Sequence, residues 1–118
     1  MTAEWHEVTE ANRKQWQNAF AVEPISTMKL AVPCPICGGQ LLRYYHLAHV
    51  QHYQTPTGQY CGRGSLWEWC TDCRSFVHAT ALVPIGWRDP QLIIGPITIY
   101  PGPIDDAVRA KQLGAERK

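Results

Sequence analysis

From Thr2 to Phe20 the chain repeats at three- and four-residue spacing, with Trp5, Val8, Asn12, Trp16 and the Ala19-Phe20 pair set between Glu4, Glu7, Glu10, Arg13 and Lys14. This period predicts an amphipathic helix. Its acidic residues come early and its basic ones later, as the helix dipole favours, and Pro24 disfavours helical backbone at Glu23 and so ends it. Trp5 and Trp16 then share a face that either covers the core or meets a partner.

From Pro33 to about Pro84 the period changes to two. Val77, Ala79, Ala81 and Val83 alternate with Phe76, His78, Thr80 and Leu82, which is the pattern of a strand. Leu66 to Trp69 alternates as well and puts Trp67 and Trp69 on one face. Gln40 to Tyr53 is rich in Leu, Tyr and Val and is followed by the turn signal Thr55-Pro56-Thr57-Gly58. Three antiparallel strands are the economical reading, and a helix over Leu41 to Tyr53 stays open because its periodicity is mixed.

In the last third, Pro96 keeps Leu92 to Tyr100 to an edge strand or an extended segment over the sheet. After Pro101-Gly102-Pro103 a short helix is expected from Asp105 or Asp106 to about Leu113, with Asp105 as its cap and Gly114 to Lys118 frayed. The expected fold is α+β. A small three-stranded antiparallel sheet carries an N-terminal amphipathic helix and a short C-terminal helix. The divisions are 1–30 for helix and linker, 31–90 for the core, and 91–118 for an extended segment and helix packed on it.

Chemistry enters with the cysteines. Cys34-Pro35-Ile36-Cys37-Gly38-Gly39 is followed, with 32 residues between Cys37 and Cys70, by Cys70-Thr71-Asp72-Cys73. Two residues between cysteines let a tight turn aim both sulfurs at one ion about 2.3 Å away, while backbone N–H groups of the turn face the sulfurs. Cys34, Cys37, Cys70 and Cys73 are therefore the candidate ligands of a structural Zn²⁺. Gly38 suits the positive φ that commonly follows such a turn. Four thiolates around Zn²⁺ leave a charge of −2, which Arg43 and Arg74 are placed in sequence to reduce. A thioredoxin-like redox pair is disfavoured, since neither pair opens a helix after a strand.

On these two knuckles, the first written Cys-Pro-x-Cys-Gly, the chain resembles a zinc ribbon over about Pro33 to Val83. The resemblance implies a metal and a pair of turns between short antiparallel strands, and leaves function open, because ribbons serve in transcription, translation, electron transfer and protein docking. The string Gly62-Arg63-Gly64-Ser65-Leu66-Trp67-Glu68-Trp69-Cys70-Thr71-Asp72-Cys73 is similar to that of small bacterial ribbon proteins, some associated with toxin–immunity gene pairs.

The composition narrows the partner. The 118 residues hold 11 Lys and Arg against 10 Asp and Glu, a net charge of +1, which gives no long-range pull toward nucleic acid or an anionic membrane. No apolar run reaches membrane-span length, and the acidic start lacks a signal-type apolar stretch, so a cytoplasmic protein is expected. In that reducing compartment paired cysteines more often hold metal than form disulfides.

Cys61 reads as a buried small side chain. His46, His49 and His52, spaced by three, read as surface or edge histidines, while His78 is a candidate donor to a thiolate. No nucleophile triad or helical His-Glu-x-x-His is present, and Gly62-Arg63-Gly64-Ser65 lacks the lysine of a phosphate loop, so no catalysis is expected.

Between Ala31 and Pro90 eight aromatic residues stand against seven charged ones. The first functional expectation is a structural-zinc module that binds a specific protein, as an immunity or inhibitor protein does, with Trp5, Trp16, Trp67 and Trp69 as candidate partner-contact residues. The alternative is single-stranded nucleic-acid binding, in which Tyr and Trp stack on bases and Arg43, Arg63, Arg74 and Arg88 meet phosphates.

Overall fold

The computed structural model describes residues 4–56, 58–87, 92 and 97–116, with side chains to residue 110. In chain order its elements are β1 (His6–Glu7), α1 (Glu10–Ala21), β2 (Lys29–Pro33), β3 (Gln40–Thr55), β4 (Gly58–Cys70), β5 (Ser75–Pro84) and α2 (Gly102–Glu116). The strands form one sheet in the order β1-β5-β4-β3-β2. Pairing is antiparallel except between β1 and β5, which run parallel.

The expected three-stranded antiparallel sheet is thus corrected to a five-stranded mixed sheet with two helices. The three expected strands are present as β3, β4 and β5, and the segment from Leu41 to Tyr53 is strand. The two added strands come from stretches read as helix and linker. Trp5 and Val8 continue the spacing of α1, yet Thr9 is extended (φ −71°, ψ 160°) and the helix begins only after it. Before Thr9 the backbone bonds to β5, His6 N–H to the Arg74 carbonyl and Val8 N–H to the Phe76 carbonyl, both 3.0 Å. Extended backbone sends residues three apart to opposite faces. Val8 accordingly joins the cluster under α1 and Trp5 packs against the cluster under α2.

Period two organises the core into two layers. Leu41, Cys70 and Val77 face Trp16, Ala19 and Phe20 of α1, while their neighbours Leu42, Trp69 and Phe76 face Ile104 and Val108 of α2. Cross-strand register makes these rows: Leu41 opposes Cys70, and Leu42, Trp69 and Phe76 line up across three strands. Each large side chain buried this way contributes roughly 1.5–3 kcal/mol. Helix α2 starts at Gly102, ahead of the expected Asp105, so Asp105 is a first-turn residue whose N–H bonds to the Pro101 carbonyl. Its backbone continues to residue 116, through part of the tail expected to fray. Of the extended segment, residues 93–96 lie outside the described residues, as do Arg88 and Asp89.

The long β3–β4 hairpin leaves the helices behind at its outer end, where residues 48–52 are exposed one after another. A β-bulge between Leu47 and His49 brings β3 backbone onto β4. A Cβ at Gly64 would collide with the His46 carbonyl, and one at Gly62 with the His49 carbonyl. These glycines, which resemble a fragment of a phosphate loop in sequence, serve strand packing.

Candidate metal centre

Two turns build the centre, one between β2 and β3 and the other between β4 and β5. In the first, Gly38 N–H bonds to the Cys34 carbonyl at 2.8 Å and Cys34 N–H to the Gly39 carbonyl at 2.9 Å. In the second, Arg74 N–H bonds to the Cys70 carbonyl at 3.1 Å. Both turns close through left-handed backbone at the residue after the second cysteine, with φ 79° at Gly38 and 64° at Arg74. β3 and β4 start and end side by side, so the hairpin that separates the pairs by 32 residues in sequence returns the chain to its own beginning.

The turns are also tied to each other. Gln40 N–H donates to Asp72 Oδ2 at 2.9 Å and Thr71 N–H to the Gln40 carbonyl at 3.2 Å. As a result the Sγ atoms of Cys34, Cys37, Cys70 and Cys73 all lie within 4.8 Å of one another. Across the turns, Cys37 and Cys70 sulfurs are 3.5 Å apart and those of Cys34 and Cys73 are 3.9 Å apart. A tetrahedron with 2.3 Å metal–sulfur bonds has edges of about 3.8 Å. The cluster has the size and donor set of a four-thiolate site, and its cysteines are not disulfide-bonded.

Backbone donors face the sulfurs as such a site requires. Ile36 N–H points to Cys34 Sγ and Gly39 N–H to Cys37 Sγ, each at 3.4 Å. Burial pushes the Cys34 and Cys70 thiols above the ordinary thiol value. Burial alone would also raise Cys73, but hydrogen bonds to the hydroxyl and backbone N–H of Ser75, together with those to Cys37 and Cys70, outweigh it and bring that thiol below the ordinary value. Two buried thiols that resist ionisation need a cation to become ligands, and metal binding supplies it by displacing their protons. Zinc suits this donor set: it would be held by these four sulfurs and would supply cross-linking of the two turns, with no position left for substrate.

The other residues singled out in the sequence fall into place differently. Arg43 does not neutralise the thiolates. It is buried beside Phe20, its guanidinium 5.4 Å from that ring, and donates to the Phe20 and Ile25 carbonyls at 3.0 Å each. Helix α1 has no basic residue in its last turn, so Arg43 of β3 caps it from outside. Across the strands Arg43 opposes Glu68, whose carboxyl is pushed up by burial and pulled back by that guanidinium. Arg74 instead stacks over the Trp5 ring at 4.9 Å.

Trp16, Trp67 and Trp69 are 1%, 1% and 0% exposed. As partner-contact residues they are corrected: their indoles fill the core, with Trp67 Nε1–H on the Thr98 carbonyl at 3.1 Å and Trp69 Nε1–H on Asp105 Oδ1 at 3.0 Å. Trp5 is partly covered. Cys61 lies outside the sulfur cluster, its Sγ 3.6 Å from the Val83 carbonyl. His46, His49 and His52 join no group of potential metal ligands among the described residues. His78 packs on the Trp67 ring, 5.2 Å between centroids, and it is Ser75 that reaches a thiol. Ser75 escaped the sequence reading, although its place two residues after Cys73 is the signal that marks it.

Among the described residues no helix is long and apolar enough to cross a membrane. The two cross-tied turns and their four thiols make this a zinc-ribbon-like site, and the likeness rests on that geometry, because no family model, curated protein or solved structure matches the chain.

Proposed function

We propose that the chain is a non-catalytic protein-binding module whose fold is locked by structural zinc. The observation that carries the structural role is the sulfur cluster itself. Its four thiols satisfy a tetrahedral ion completely, and two of them, Cys34 and Cys70, belong to the hydrophobic core. A metal placed there acts on folding.

The docking part of the reading is supported by what the helices leave uncovered. Residues 48–52 of β3 are exposed in succession, and Val50 is 75% exposed at the outer end of the hairpin. A zinc-held base with an exposed run on β3, backed by β4 and β5, suits recognition of another protein. An immunity or inhibitor role is the version favoured by the likeness of residues 62–73 to small bacterial ribbon proteins. The nucleic-acid alternative loses support: Trp67 and Trp69 are unavailable for stacking on bases, Arg43 is spent on α1, and the net charge is +1.

The test has two stages. Elemental analysis of reduced, purified protein should give one zinc per chain. Zinc-loaded protein should then retain a discrete protein partner at high salt after nuclease treatment. In a parallel capture without nuclease, recovery of nucleic acid that salt removes, with no protein retained, would overturn the docking reading while leaving the metal reading intact.

A further inference from the structure

Cys73 has a hydroxyl beside it. Ser75 Oγ lies 3.4 Å from Cys73 Sγ in hydrogen-bond geometry and on its other side meets His6 Nε2 at 3.2 Å. Ser75 is 2% exposed, so water does not compete effectively at its hydroxyl, although His6 itself is exposed. The direction of the chain of bonds follows from charge. A cysteine that ligates a metal is a thiolate and has no proton to give. The hydroxyl must then donate to sulfur, which leaves its oxygen to accept from imidazole, and that places a proton on His6 Nε2.

We propose that Ser75 is a positioning residue of the metal centre, donating to the Cys73 thiolate, and that His6 holds the hydroxyl in that direction. The proposal rests on the reading of the four cysteines as a metal centre. It gives β1 a purpose beyond extending the sheet. This two-residue strand pairs His6 with Ser75 in register and so delivers the imidazole to the hydroxyl. The first knuckle draws its N–H donors from its own turn, at Ile36 and Gly39. Cys73 draws a donor from the side chain of a strand, and that donor can be removed by substitution.

The experiment uses the zinc-loaded full chain and the variants Ser75→Ala, His6→Ala and His6→Gln. Zinc affinity is measured by competition with a chromogenic chelator, and the order in which the cysteines are alkylated is read by mass spectrometry. Outer-shell donors are commonly worth about 10–100-fold in metal affinity, so Ser75→Ala should weaken zinc by roughly tenfold or more. His6→Ala should weaken it less, and His6→Gln, which keeps an N–H donor, should restore most of the loss.

In wild type the exposed Cys37 should react first. In Ser75→Ala reactivity should move toward Cys73, because a thiolate without its hydrogen bond is the better nucleophile. Unchanged affinity with unchanged order would overturn the proposal. So would equal acceleration at all four cysteines, which is the mark of a general structural loss. Wild-type protein that binds no zinc would instead overturn the metal-centre reading, before any variant is compared.

Discussion

Gly38 and Arg74 occupy equivalent places in the two turns, each four residues after its first cysteine and each donating its N–H to that cysteine's carbonyl. Both have positive φ, but only one is glycine. A Cβ at Gly38 would meet nothing within 4 Å, so Gly38→Ala tests conformation alone and should cost about 1 kcal/mol. Arg74 bears that cost already and offsets it by stacking on Trp5, an interaction worth about 0.5–1 kcal/mol. Arg74→Gly should therefore be nearly neutral, whereas Arg74→Ala, which keeps the strain and loses the stacking, should destabilise. Urea denaturation of the zinc-loaded variants checks the order.

Removal of the metal should reach the core. Cys34 and Cys70 share a cluster with Trp16, Phe20 and Leu41, so freeing the thiols opens the layer under α1. Structural zinc contributes on the order of 10 kcal/mol, comparable to the whole stability of a small domain. A chelator under reducing conditions, or Cys34→Ser or Cys70→Ser, should abolish the cooperative thermal transition seen by tryptophan fluorescence. Cys61→Ser is the control. Its sulfur meets the Val83 and Pro84 carbonyls of β5, which a hydroxyl also satisfies, and the substitution should cost less than about 1 kcal/mol.

The four cysteines were legible because ligand spacing is local: two intervening residues fix a turn whatever the rest of the chain does. The strands β3, β4 and β5 were legible through alternation. What the sequence concealed depends on tertiary partners. Trp5 and Val8 fit a helical period as well as they fit opposite faces of a strand, and only bonding to Arg74 and Phe76 decides between the two. Arg43 stands six residues after Cys37, which suggested charge compensation at the metal. Its side chain instead extends toward the end of α1, and no local pattern encodes that direction. Trp67 and Trp69 looked like surplus aromatics because eight aromatic residues stand against seven charged ones between Ala31 and Pro90, yet Ile104 and Val108 of α2 join them in one buried cluster.

The Trp69–Asp105 bond ties the first turn of α2 to β4. Asp105 is buried, accepts from Trp69 Nε1 and pairs with Arg109 at 3.1 Å, one turn on in the same helix. Asp105→Ala strands a buried indole N–H and should cost about 2 kcal/mol. Asp105→Asn keeps an acceptor and loses only the ion pair with half-exposed Arg109, worth about 1 kcal/mol or less. Trp69→Phe in the Asp105→Ala background should cost less than it does alone, since the bond is already gone. Additive losses in that double-mutant cycle would refute the coupling.

His78 should make stability depend on pH in a known direction. Its ring lies against Trp67 on the α2 face, and its Nε2 is buried with no hydrogen-bond partner among the described residues. Burial holds the imidazole below its ordinary value of 6.5, because a proton added at Nε2 would have no acceptor there. The folded chain thus binds fewer protons at this site than the unfolded chain. Stability from a neutral His78 is complete above pH 6.5 and is lost as the pH falls through that value toward the lower folded one. Protonation of the thiolates also weakens the protein in acid, so wild type must be compared with His78→Gln, which keeps the metal ligands and cannot titrate. The stability of wild type relative to the variant should decline between pH 7.5 and 5.5 in denaturation at constant zinc, and parallel curves would show that His78 is not the group responsible.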